Sequence, residues 1–151
     1  MHPSRLQRGE IIAAIGGLLL ALSLFLNSYK PSENPNAIIE GVREAVTAWQ
    51  VHDWLRWVLL AAAVAPLILT YIVMRDHQLS WPRGEVTAVI GIFALGLIIY
   101  NGILDRPGEP SGQISLDIGW YGMFLGALLC AAGGALRSGE SERRRKPPGV
   151  L

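Results

Sequence analysis

Two carboxylates stand where they could do chemistry. Glu10 lies in RGEIIAAIG (residues 8–16) and Glu85 in RGEVTAVIG (residues 83–91), and the two nonapeptides agree at six of nine positions. Each glutamate opens a long apolar stretch. An acid in a bilayer-sized apolar segment is suspect as an ion or proton site, because an unpaired charge there is costly. If a repeat of the chain brought Glu10 and Glu85 together, they would form such a site at the mouth of a bundle. A plainer reading competes and is favoured. A glutamate in the first turn of a helix meets free N–H groups and the positive end of the helix dipole. Arg8 and Arg83, just before, would lie at the depth of lipid phosphates. Asp53 and Asp117 suit the same helix-start role for two further apolar stretches.

Other reactive types are scarce. Cys130 is the only cysteine, so chemistry that needs a thiol pair is excluded. There is no CxxC, no HExxH and no glycine loop ending in lysine. His2, His52 and His77 all fall outside the apolar stretches, which leaves a haem between helices without axial ligands. No catalytic, cofactor-binding or metal-ligating residue is assigned, and the chain reads as a non-enzyme without a cofactor.

The elements that would position these residues follow from the spacing of charge. Residues 11–29, 57–74, 86–104 and 118–136 carry no charged side chain. A bilayer core of about 30 Å takes roughly 20 such residues in a helix, whereas a soluble bundle would show a polar stripe on each helix. Four transmembrane helices are expected, over about 10–29, 55–75, 85–104 and 118–137, in a membrane domain covering 1–136. The first is read as an uncleaved span: it is too long for a signal segment and lacks a small-x-small cleavage site. With both termini in the cytoplasm, the inner side holds Arg5, Arg8, Arg75, Arg83, Arg137, Arg143, Arg144, Arg145 and Lys146. The outer side holds only Lys30, Arg43, Arg56 and Arg106. Nine basic residues against four favour this orientation.

Aligned on RGE, the first and third stretches are offset by 75 residues. HDWLRW (52–57) and LDIGWY (116–121) align the second and fourth at an offset of 64. This predicts one helical hairpin used twice, a parallel repeat about an axis along the membrane normal. The fold class is therefore all-α: an integral membrane four-helix bundle of two repeated hairpins. A short external amphipathic helix over about 36–50 is added, since Ile38, Ile39, Val42, Ala45, Val46 and Trp49 recur at helical spacing after a cap at Asn36.

Small residues mark where helices should touch. Gly122, Gly126, Cys130 and Gly134 recur every four residues in the fourth stretch, and Ala13, Gly17 and Ala21 do so in the first. Ala61 and Ala65 suggest the same in the second. Such ridges let backbones approach closely, either within the bundle or, for the fourth stretch above all, against a second subunit. Pro66 removes an N–H in mid-span. Trp and Tyr near the predicted span ends form an interfacial belt. Within it, Trp54, Arg56 and Trp57 could make an aromatic cage, a less favoured alternative. Residues 105–115 read as a plain Pro/Gly turn. Residues 137–151 read as a disordered basic cytoplasmic tail able to touch anionic lipid. Nucleic acid is not an expected partner, since no basic face exists elsewhere.

The RGE entries, the Ala48-Trp49 pair and Asp53 leading into the second stretch resemble a group of small four-span membrane proteins of high-GC Gram-positive bacteria, a group without an assigned function. The resemblance covers most of residues 8–137. At the first-span exit, Leu26-Asn27-Ser28-Tyr29 keeps only the tyrosine of the group's Pro-Trp-Tyr-like pattern. It implies a plasma-membrane location and brings no site residues. The expected function is that of a non-enzymatic membrane protein acting through helix contacts, with the lipid bilayer and another membrane protein or a second copy as partners. The alternative is a small transporter or channel with Glu10 and Glu85 at its cytoplasmic mouth.

Overall fold

The computed structural model describes residues 6–75 and 81–145. His2, His77, Arg5, Lys146 and the end of the tail lie outside these residues. Five helices and three short strands follow in the order α1 (Arg8–Ser23), β1 (Asn27–Pro31), β2 (Val46–Thr47), α2 (Ala48–Val51), α3 (Leu55–Met74), α4 (Arg83–Ile99), β3 (Ile114–Leu116) and α5 (Ile118–Arg145). A π-helical turn, Tyr100–Leu104, extends α4. Three helices are long and apolar enough to cross a membrane among the described residues: Leu55–Met74, Arg83–Leu104 and Ile118–Glu140. The first stretch differs from expectation. Its helix has 16 residues, about 24 Å at 1.5 Å per residue, and Asn27–Pro31 leaves it as a strand.

Helix α5 is central. It packs along α1 on one side and α4 on the other, α3 lies on the far side of α1, and α3 meets α4 only lightly. The buried positions of α5 explain this. Trp120, Met123, Ala127 and Cys130 are buried, and Gly126, Gly133 and Gly134 lie against neighbouring backbone. They recur at steps of three and four residues, the period of one helix face. That face is wide enough for two partners.

Both partners seat on α5 backbone to backbone, and in the same way. A Cβ on Gly133 would meet Gly9 O and Ala13 N of α1, and one on Gly134 would meet Gly84 O and Ala88 N of α4. Gly9 and Ala13 correspond to Gly84 and Ala88 at the offset of 75. One step along α5, a turn of about 100°, therefore converts the α1 contact into the α4 contact. The third seam has no such copy. Gly17 of α1 packs on Ala63 O and the Pro66 ring of α3, whereas the matching position in α4 is Ile92, which is exposed. The close backbone seat of α3 is therefore on α1 and has no copy on α4.

At the ends of the long helices opposite the start of α1 and the end of α5 sits a small cap. Its sheet has the order β2-β1-β3, with Tyr29 paired to Val46 on one side and to Leu116 on the other. The central strand thus has neighbours for its main-chain groups on both edges. This corrects two expectations. The segment 36–50 is not an amphipathic helix; only Ala48–Val51 is helical. Ile39 and Val42 instead exchange N–H···O bonds of 2.9 Å across a tight turn in which Glu40 and Gly41 take positive φ. Ile38 pairs with Glu109 of the other cap loop. Nor is 105–115 a plain turn, since Ile114–Leu116 is the third strand. Apolar spacing near 3.6 suited a helix, but Ala37, Ile39 and Val46 are buried in the cap, where Val46 pairs with Tyr29 and Ile38 with Glu109. The tail also differs: α5 runs on through Arg145, so 137–145 is helical, continuing the hydrogen-bonded register begun in the apolar part.

Candidate functional site

The light contact between α3 and α4 leaves a gap at each end of their seam. Between the gaps, Leu59, Ala62 and Ala63 of α3 and Ala94 and Ile98 of α4 are buried in the common core.

The gap at the end where α1 and α4 begin holds Glu10. It is a small cavity of about 20 Å³, room for one water, walled by all four long helices. Glu10 is 9% exposed. One oxygen, Oε2, accepts the Gln7 N–H at 3.0 Å, closing the start of α1. The other, Oε1, faces Arg137 Nε at 3.4 Å, with both side chains mostly buried. A buried ion pair does not by itself show net stabilisation, but losing one member leaves a charge without compensation. Arg83 and Thr87 of α4 and Thr70 of α3 complete the lining. Both threonines turn their hydroxyls back to helix carbonyls: Thr87 to Arg83 O at 2.9 Å and Thr70 to Pro66 O at 2.8 Å. Glu85 is not here. It is exposed on the outside of α4, so the two glutamates do not form a joint site. Arg137, which the sequence placed at the start of a loose tail, is the partner of Glu10 instead.

The small-residue positions are occupied within the chain. Gly122 lies against Ser23, Gly126 against Gly16 and Leu20, and Gly134 against Gly84 and Ala88. Cys130 is buried, its thiol 3.6 Å from Ala13 O. Ala13 meets Gly133, Gly17 meets α3, and Ala21 packs against the core. Each of these positions of α5 has a neighbour within the chain. In α3 the buried alanines are Ala62 and Ala63, while Ala61 is exposed.

The gap at the cap end is larger, about 410 Å³, and was not foreseen. It is lined by Val51, His52, Asp53, Trp54 and Leu55 before and at the start of α3, and by Leu97, Tyr100, Asn101 and Asp105 at the end of α4. The π-turn shapes it. Leu97, Asn101 and Asp105 are spaced by four, and eight residues of regular α-helix overshoot two turns by about 80°. The wider turn, closed by the Asp105 N–H on Tyr100 O at 2.9 Å, brings Asp105 back toward that line. Such turns recur at functional sites. Behind the gap, the Tyr29 hydroxyl lies 3.2 Å from His52 Nε2 and 3.5 Å from Asn101 O. Burial raises the Tyr29 phenol above its ordinary range, opposed by the positive charge of Arg106. Burial also lowers the His52 imidazole below 6.5, opposed by the carboxylate of Asp105. Tyr29 and His52 are thus both held neutral at pH 7 and meet through their polar tips. The signal in the sequence was HDW beside a span start, which served there only as helix-entry chemistry.

Two arginines lie nearby. Arg56 lies over the rings of Trp49 and Trp57 at 5.4 and 5.9 Å, donates to Trp49 O and approaches Asp53 at 4.0 Å. Its stacking on Trp49 and Trp57 makes this an internal cluster, with Trp54 outside it. Arg106 donates to Gly102 O and to Ile114 O at 2.7 Å, tying the π-turn to the cap. Set beside known proteins, the chain matches no family model, no curated protein and no solved structure.

Proposed function

We propose that this is a non-enzymatic integral membrane protein of four spans, with both termini on the cytoplasmic side of a bacterial plasma membrane, working through contacts of its outward faces with another membrane protein or a second copy. The observation that carries this reading is the glycine seating of α1 and α4 on α5, which closes the bundle around an apolar centre and leaves its outer faces for recognition. The fourth span would be α1. Two i−3 bonds, from Phe25 and Leu26 N–H, carry its last turn on to Leu26, for a length of about 28 Å. Ile11, Ile15, Leu18, Leu22 and Phe25 form an exposed apolar stripe along it, as a lipid-facing helix requires. The shared seating of Gly9/Ala13 and Gly84/Ala88 supports a duplication of α1 and α4, with the second seam lost where Gly17 became Ile92.

Photoreactive residues at Ile15 and Phe93, both outward, test the contact reading in the native membrane. A discrete protein adduct from one of them is expected. Lipid adducts alone from both would reject it.

A second reading, a small transporter, draws on the two gaps at opposite ends of one seam with an apolar plug between. Glu10, without Glu85, would stand at its cytoplasmic mouth. Flux in proteoliposomes that disappears in Glu10→Gln would favour it, and absence of flux in the unaltered protein would remove it.

A further inference from the structure

We propose that the gap at the cap end of the α3–α4 seam is a binding site for a small organic cation, an amine or quaternary ammonium group. The proposal rests on the pocket alone and stands whether or not the bundle binds a partner or moves a solute. Size comes first: about 410 Å³ lies within the range of small-molecule sites, roughly 300–1,000 Å³. Charge comes second. The only charged side chains in the lining are Asp53 and Asp105, both acidic. Of the two nearest arginines, Arg106 is drawn onto main-chain carbonyls, while Arg56 lies over indole rings and also approaches Asp53 at 4.0 Å, so the negative charge of the pocket rests mainly on Asp105. His52, neutral through burial, adds no opposing charge. An anion is therefore disfavoured.

Shape and polarity then separate an organic cation from a metal ion. Val51, Leu55 and Leu97 supply apolar lining, and the aromatic residues Trp54 and Tyr100, 68% and 50% exposed, belong to the lining as well. Aromatic faces attract an alkylammonium group, the more so where it is partly desolvated. A hard metal ion would need several oxygens converging at short range, and no group of three His, Cys, Asp or Glu among the described residues could hold one. Asn101 donates its amide to Leu97 O at 2.9 Å, leaving its side-chain oxygen as an acceptor for an ammonium N–H. The π-turn is what sets Asn101 and Asp105 on one side of the pocket.

The test uses the full chain in detergent, titrated calorimetrically with choline and with 3,3-dimethyl-1-butanol, its uncharged counterpart of nearly the same shape. Choline is expected to bind at least about tenfold more tightly, about 1.4 kcal/mol. Asp105→Asn and Trp54→Ala, both at exposed side chains, should each weaken choline severalfold with no change in melting temperature. Equal binding of the neutral compound would overturn the proposal. So would choline affinity unchanged in Asp105→Asn, or no binding of choline, tetramethylammonium or ethanolamine at millimolar concentration. Repeating the titration in nanodiscs with and without phosphatidylethanolamine separates a free ligand from a lipid headgroup. Competition by that lipid assigns the site to a headgroup, and unchanged affinity assigns it to a soluble cation.

Discussion

Glu10 and Glu85 share a tripeptide and a helix position, yet α1 turns one into the bundle while α4 turns the other out of it. The cause is geometric. Both helices seat on α5 through the preceding glycine, and one is carried onto the other by a rotation about α5. A side chain that leaves α1 toward α4 becomes, after that rotation, one that leaves α4 toward the surroundings. The two carboxylates should therefore respond differently to the same change. Glu10→Gln strands Arg137, whose side chain is 13% exposed, and should cost about 3 kcal/mol of stability, as is typical of half a buried pair. Glu85→Gln should stay within about 0.5 kcal/mol. Thermal unfolding in one detergent compares them, and Arg137→Met in the Glu10→Gln background should recover most of the loss. His52 adds a pH dependence of definite sign. Its imidazole is below 6.5 in the fold, so between that lowered value and about 6.5 the unfolded chain binds a proton that the folded chain does not. Stability from this group is complete above about 6.5 and is lost as pH falls through the folded value. Melting temperature followed from pH 8 to 5 should drop below 6.5, and His52→Gln should flatten the drop.

At the level of elements, the seams make a sharper prediction than the apolar faces do. A single methyl at Gly126 would stand 2.6 Å from Leu20 N, and one at Gly133 would stand 2.5 Å from Ala13 N. These are main-chain atoms that cannot swing aside. Gly126→Ala and Gly133→Ala should each destabilise by about 1–3 kcal/mol through overpacking. Gly96 and Gly139 have nothing within 4 Å of an added methyl, and Ala there should gain up to about 1 kcal/mol of helix propensity. Yield of folded protein after detergent extraction ranks the four. The period-four glycines of α5 were legible in the sequence, but Gly133 was not among them. The period-four series follows α1 through Gly122, Gly126 and Cys130 and passes to α4 only at Gly134, while Gly133, three residues after Cys130, continues the α1 contact; a search at one fixed spacing finds only part of such a face. The segment 36–47 failed for a different reason. Its apolar spacing is compatible with a helix in isolation, but Val46 pairs with Tyr29 and Ile38 with Glu109, and these partners are local neither in sequence nor in period.

For the whole molecule, orientation in the membrane is the property most open to test. With Cys130 buried, introduced cysteines report alone. Ser32→Cys, in the cap, should react with an impermeant maleimide on intact cells, whereas Gly139→Cys, near the end of α5, should react only after lysis. The reverse pattern would invert the molecule. The sequence by itself determined the long apolar helices, because a run of about 20 residues without charge has few stable settings other than lipid or a deep core. It also showed the tripeptide that α1 and α4 share, RGE, with a further glycine six residues after its last member in each. Only the tertiary structure decided which helix is central, that Glu10 meets Arg137, and that Tyr29, His52, Asn101 and Asp105 gather at one end of a loose seam. Those outcomes depend on which notch meets which backbone. Gly17 of α1 seats α3 on Ala63 and Pro66, whereas the matching Ile92 of α4 faces outward.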